Sequence, residues 1–159
     1  MVRKLIIVSA SSRILDEPEP LPALERYDGI FLRTLRKYLR EGKLRDTDII
    51  IVSRKFGVIK SNDMIPYHEP YHGKFGEIGL DESKVQRLRE KNLNILKGLI
   101  ARGKYSEIYL NMGYEHKKLI SGFENFVKCK ITYAFGRGLG PKAQHMKNWI
   151  LSQKPKFKR

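Results

Sequence analysis

The stretch Gly136-Arg137-Gly138-Leu139-Gly140-Pro141-Lys142 alternates three glycines with other residues and closes on a Pro-Lys pair. Glycines let backbone N–H groups come close to a ligand, and a helix start behind them adds free donors and a partial positive charge. Pro141 suits the first helical position, where no N–H is needed. Arg137 and Lys142 supply full charges. These residues predict an anion cradle; the alternative is an ordinary glycine-rich connection. The spacing is not that of a phosphate-binding P-loop, which needs a Lys-Ser/Thr pair. Nor is it the dinucleotide fingerprint, whose third glycine falls one residue later.

Two further segments carry ligand-type chemistry. Ser9-Ala10-Ser11-Ser12-Arg13 offers Ser9, Ser11 and Ser12 hydroxyls and a guanidinium for phosphate or sugar oxygens; a polar turn reads the same way. Ser53-Arg54-Lys55-Phe56-Gly57 sets two cations and a ring beside a glycine. Phe56 suits stacking on a base, with Lys55 on a phosphate, or else folds into the core. Tyr67, His68, Tyr71 and His72 follow in a long loop. Two histidines four apart in a loop, without placed cysteine or carboxylate ligands, predict no metal site; aromatics over a nucleic-acid groove fit better. General acid–base work would fall to Asp16, Glu17, Glu19, Asp63, His68 or His72. None is expected at a strand end, which weighs against catalysis. No G-x-S-x-G elbow surrounds Ser9, and Cys129 is expected inside a strand as an inert thiol.

The elements that must position these groups follow from hydropathy. Lys4–Ser9 and Asp48–Ser53 are continuous apolar runs, the pattern of parallel strands buried on both faces. Leu24, Tyr27, Phe31, Leu35 and Tyr38 predict one helix over Ala23–Arg40, stopped by Gly42. Asp81 caps a helix over Glu82–Arg102. A strand at Glu107–Asn111, a short helix at Glu115–Phe123, a strand at Val127–Phe135 and a helix at Pro141–Ser152 complete a β-α-β-α-β-α-β-α order. Such alternation argues for a parallel sheet covered on both faces. Ligands then bind beyond the carboxyl ends of the strands, at loops beginning with Ser9, Ser53, Met112 and Gly136.

The chain has 159 residues, 32 Lys and Arg against 17 Asp and Glu, and a formal net charge of +15. That length predicts a single α/β domain over 1–152 with a basic tail over 153–159. After Glu124 there is no acidic residue but nine Lys or Arg. Such a surface suggests a polyanion partner, most often nucleic acid; a Lys/Arg-rich thermophile surface is the alternative. No apolar run approaches the roughly 20 residues of a membrane span, and no signal peptide is read at the N-terminus. With one cysteine, these features predict a cytoplasmic protein. No cofactor is implied.

Several of these segments also carry a resemblance. Leu5-Ile6-Ile7-Val8-Ser9, then Leu24 to Phe31, then Ile51 to Ile59 with Ile65-Pro66-Tyr67, then Gly113-Tyr114, then Gly138 to Trp149 stand in an order that resembles a family of small α/β domains. That family is similar to a domain of archaeosine synthase, which has a uracil-DNA-glycosylase-like fold, and more loosely to the YaaA proteins of peroxide stress. The resemblance runs from Leu5 to about Leu151. It departs where the family's cysteine after the first-strand serine is Ala10 here, so no cysteine chemistry carries over. It implies a three-layer α/β/α sandwich with a four-stranded parallel sheet in the order 2-1-3-4, and a role near nucleic-acid or modified-nucleobase metabolism. In that arrangement the Ser9–Arg13 loop would meet Lys55, Tyr67, Gly113, Tyr114 and the glycine loop. Arg13, Lys55, Arg137 and Lys142 would grip phosphates, and Phe56, Tyr67 or Tyr114 would stack on a base. The expected function is binding of nucleic acid or a nucleotide through this basic rim. The alternatives are an enzyme of base removal or exchange, and a non-catalytic assembly module.

Overall fold

The structure of the protein is a computed structural model that describes residues 3–71 and 79–153. His72 and the basic residues of 154–159 lie outside the described residues. The strands are β1 (Lys4–Ser9), β2 (Leu21–Pro22), β3 (Thr47–Ser53), β4 (Gly57–Lys60), β5 (Met64–Ile65), β6 (Glu107–Asn111) and β7 (Lys130–Tyr133). The helices are α1 (Ala23–Arg26), α2 (Ile30–Arg40), α3 (Glu82–Gly103), α4 (Tyr114–Lys117) and α5 (Leu139–Ser152), with 3-10 turns at Lys118–Ile120 and Phe123–Phe126.

The central sheet runs β4-β3-β1-β6-β7, with β3, β1, β6 and β7 parallel and β4 antiparallel to β3; β2 and β5 form a separate antiparallel pair. The sheet thus has five strands and is mostly parallel, where four parallel strands were expected. The extra strand arises at Gly57, whose φ of 77° reverses the chain. Val58 and Ile59 then pair with Val52 and Ile51. Asn92 of α3 locks this edge: its Oδ1 accepts from the Val58 N–H at 2.9 Å, and its Nδ2 donates to the Leu119 carbonyl at 2.9 Å.

Successive residues of a strand point to opposite faces, and β1 buries both. Ile6 and Val8 join Leu32, Leu35, Met146 and Trp149 under α2 and α5. Leu5 and Ile7 join Leu96, Leu110 and Phe123 under α3. Each such side chain contributes roughly 1.5–3 kcal/mol on full burial, and this two-sided core holds the strand ends in place.

The helix expected over Ala23–Arg40 is two helices. Residues 13–15 pair with 26–28 in extended conformation: Asp28 N–H donates to the Arg13 carbonyl and Leu15 N–H to the Arg26 carbonyl, both at 2.9 Å. This pairing pulls Tyr27 to φ −90°, ψ 129° and ends α1. Arg36 of α2 takes up the released carbonyls, donating to Leu24 at 2.7 Å and Tyr27 at 3.1 Å, and to Asp28 at 2.5 Å. The last strand begins at Lys130 rather than Val127, so Cys129 precedes it, half-buried.

Candidate functional site

The loops leaving β1 and β3 enclose a cavity of about 60 Å³ with the segment His68–Tyr71, Tyr27 and His116. The chain leaves β1 for β3 on one side and returns past β1 to β6 on the other. The crevice at such a reversal, beyond the carboxyl ends of the strands, is where α/β sheets take ligands.

Each wall has a local cause. Ser11 Oγ accepts from the Gly29 N–H at 3.0 Å and donates to the Arg13 carbonyl at 2.7 Å, curling the first loop. A Cβ on Gly29 would stand 2.5 Å from that of Ser11, so the approach needs glycine. Ser53 Oγ accepts from the N–H groups of Lys55 and Phe56 at 3.0 and 3.1 Å, turning the second loop. The Tyr27 hydroxyl reaches in between, 3.3 Å from Ser53 Oγ and 3.0 Å from His68 Nε2. His68 Nδ1 faces the Glu69 carbonyl at 3.2 Å. Donation to that carbonyl leaves Nε2 with the lone pair facing Tyr27.

Arg26 holds the frame. It is fully buried and donates to the carbonyls of Leu15, Glu17, Glu19 and Ile65 at 2.6–3.2 Å. One guanidinium thereby joins the long loop after β1 to β5, which leads directly to Tyr67 and His68.

The lining carries Arg54 and Glu69 beside three groups, Tyr27, His68 and His116, that the surroundings keep uncharged. Burial lowers the His68 pKa; Lys55, Arg26 and Arg54 lower it further, while the Glu69 carbonyl opposes. Burial also lowers His116, helped by Arg54 and opposed by Glu115. Burial raises the Tyr27 phenol, with Ser53 and Arg26 pulling the other way. At neutral pH the pocket presents two uncharged imidazoles and a protonated phenol. Neutral imidazole can accept a proton or a hydrogen bond, and the surrounding cations favour an anion.

The structure distributes the expected site residues unevenly. Ser11, Ser12 and Ser53 line the pocket. Ser9 ends β1 beside it. Arg13 is exposed and pairs with Asp28 at 3.5 Å. Lys55 lies 5.8 Å from the centre of the Phe56 ring. Phe56 itself packs against the core and sets its edge to His68, ring centres 5.3 Å apart, so its faces are not free for a base. Gly57 is buried against Asn92 rather than open to a ligand. Tyr67 is partly exposed, with the Arg26 guanidinium 6.0 Å from its ring. Gly113 caps α4, and Tyr114 is 76% exposed.

The glycine loop lies at the end of β7 and does not line this pocket. Gly136, at φ 133°, packs on Pro141, where a Cβ would stand 2.6 Å from that of the proline. Gly138 is the N-cap, so α5 starts at Leu139, two residues before Pro141, and Gly140 falls inside its first turn. Arg137 is exposed. Lys142 Nζ donates to the Met112 carbonyl at 3.5 Å. Burial lowers its pKa, and Lys117 lowers it further.

Of the acid–base candidates, His68 lines the pocket, carried there by the segment after β5 and not by a strand end. Asp63 instead caps a turn by accepting from the Lys60 N–H at 2.8 Å, and Glu17 and Glu19 offer carbonyls to Arg26. Tyr27, Arg54, Glu69 and His116 were not foreseen as lining. The signal for Tyr27 was the Asp28-Gly29 pair, which breaks a helix; His116 had only its place just after a strand end. Among the described residues no three His, Cys, Asp or Glu gather as metal ligands, and no helix is long and apolar enough to cross a membrane.

No family model matches the chain, and no curated protein does. Among solved structures it is similar to the crystal structure of AF0587, a protein of unknown function, with a TM-score of 0.50 at 15% identity. The likeness covers 99% of this chain and 47% of the other, so the chain spans about half of that protein's length. At this identity the likeness concerns the fold alone.

Proposed function

We propose that this domain binds a nucleotide, free or at the end of a nucleic acid, in the pocket between the β1 and β3 loops. The observation that carries this reading is the ring-bearing lining, with Tyr27, His68 and His116 uncharged at neutral pH and Arg54 on the wall, inside a cationic field. Tyr27, His68 and Tyr71 offer rings and hydrogen-bonding edges for a base. Ser11 and Ser12 suit sugar or phosphate oxygens, and Arg54 and Lys55 suit the phosphate charge. The cytoplasm, rich in such ligands, is its proposed place of work. The uracil-DNA-glycosylase-like arrangement belongs to the same proposal, supported by the β3-β1-β6-β7 order of the parallel strands.

The test is titration with nucleoside monophosphates and a labelled short oligonucleotide at about 50 and about 200 mM salt. Three phosphate contacts would weaken binding of a single-stranded oligonucleotide roughly 20-fold over that range. Salt-independent binding, or none, overturns the proposal.

A second reading has its own observation. His68 Nε2, the Tyr27 hydroxyl and His116 supply proton-transfer groups on the pocket wall, as an enzyme of base removal or exchange would need. Incubation with nucleosides, followed by chromatography for released base, tests it. A non-catalytic assembly module has no comparable feature in its favour.

A further inference from the structure

We propose that the rim beyond β6 and β7 is a track for single-stranded nucleic acid, with Tyr114 and Phe135 as stacking rings and Lys117, Arg137 and Lys142 as phosphate contacts. The proposal rests on the nucleotide reading of the pocket and extends it outward from His116.

Tyr114 and Phe135 are 76% and 79% exposed. Rings so exposed have no part in the core; Lys118 lies by one side of Tyr114 and His145 is 6.5 Å from Phe135, and the rest of each ring is open to a planar partner. Both belong to strand ends: Tyr114 follows β6 through Gly113, and Phe135 stands two residues beyond β7. Neighbouring strands lie about 4.8 Å apart, so β7 is roughly 10 Å from β1, within reach of a chain whose end base occupies the pocket.

The cations are arranged for a shared anion. Lys117 lies 5.6 Å from the Tyr133 ring centre, and its charge depresses the pKa of Lys142. Lys142 Nζ sits at the Met112 carbonyl, at the end of β6. Among the described residues Lys117, Arg137 and Lys142 have no carboxylate partner. The nearby acids are engaged elsewhere: Glu115 pairs with Lys118 at 3.1 Å, and Glu124 accepts from the Tyr133 hydroxyl at 3.0 Å. Lys118, thus neutralised, lies 5.3 Å from the Tyr114 ring centre. Two ammonium groups that repel each other are relieved by a phosphate between them. Open rings alternating with unpaired cations are the elements of sequence-tolerant single-strand binding. A duplex hides its base faces and gains only the charge contacts.

The test uses the full chain with fluorescent single-stranded RNA, single-stranded DNA and a duplex of the same length. Tyr114→Ala and Phe135→Ala, both at exposed positions, should each weaken single-strand binding about fivefold or more while leaving duplex binding and the melting temperature unchanged. The RNA and DNA arms decide which strand is preferred. Nucleoside monophosphate titration separates the two proposals. If monophosphates bind but neither ring variant affects the single strand, the track is overturned and the pocket stands. If neither monophosphate nor oligonucleotide binds, both fall.

Discussion

The Tyr27 hydroxyl and His68 Nε2 stand 3.0 Å apart although 41 residues separate them in the chain. Tyr27 is delivered by the break between α1 and α2, His68 by the segment that leaves β5. Arg26, adjacent to Tyr27, bonds the Ile65 carbonyl and so ties the two segments together.

Replacing Tyr27 by Phe keeps the ring and removes the hydroxyl. The expected loss is about 1 kcal/mol of stability, or roughly 2–4 °C in melting temperature for a chain of this size. Monophosphate affinity should fall several-fold, and the His68 ring signals should move in NMR spectra. Unchanged His68 signals would contradict the contact.

The two pocket histidines make stability depend on pH in a defined window. Burial, then nearby cations, holds His68 and His116 below the usual 6.5. The unfolded chain therefore binds more protons from about 6.5 downward. Stability is complete above that value and falls as pH drops through it. A second loss follows at lower pH as Asp28, Asp48 and Glu107 protonate. In these three, burial is outweighed by Arg33 and Arg36, by Arg3 and Tyr105, and by Thr132 and Trp149 respectively. Urea midpoints measured across both windows should show two steps. His116→Asn should reduce the first and spare the second; a single step confined to acid pH would refute the histidine assignment.

Gly57→Ala should destabilise by about 3 kcal/mol, since the new Cβ meets Asn92 Oδ1 and φ is 77°. Asn92→Ala should cost about 1–3 kcal/mol by leaving the Val58 N–H and Leu119 carbonyl unpaired. The double variant should cost less than the sum, because both changes act on one contact. Denaturant melts of the four proteins measure the coupling, and strict additivity would argue against it.

Arg26→Met leaves four carbonyls without their donor. Hydrogen bonds from a charged group contribute about 1.5–3 kcal/mol each, so the variant should lose on the order of 4 kcal/mol or more. The released loop around residues 15–19 should become the first site of cleavage in limited proteolysis. Cleavage there at the wild-type rate would show that Arg26 does not hold it.

The buried strands were legible because uninterrupted, β-branched runs such as Leu5–Val8 and Ile49–Val52 are too short for a buried helix and suit a sheet covered on both faces. The split at Tyr27 was hidden because Leu24, Tyr27 and Phe31 keep helical spacing across it. What breaks the helix is pairing with residues 13–15, of which the Asp28-Gly29 pair is the local trace. Gly57 carried a glycine's meaning but not its reason, which lies in Asn92 on a distant helix; the short Val58-Ile59 run beside it did not announce a strand. His68 lay in a segment without periodicity, and its role depends on Arg26 and Tyr27 arriving from elsewhere. The glycine loop was visible in the residues, yet the order of the strands sets it beyond β6, away from the pocket.

The central position of β1 has a consequence for the order of folding. Lys4 finds its β6 neighbour, Glu107, only 103 residues later. Contacts of such long sequence separation slow the search for the native state. On a ribosome β1 can pair with β3, and β3 with β4, early, but the other edge of β1 stays open until β6 emerges. His116 follows β6, so the pocket closes with one of the last strands to arrive. A closed pocket then marks the arrival of β6 and His116, with β7 and α5 still to follow.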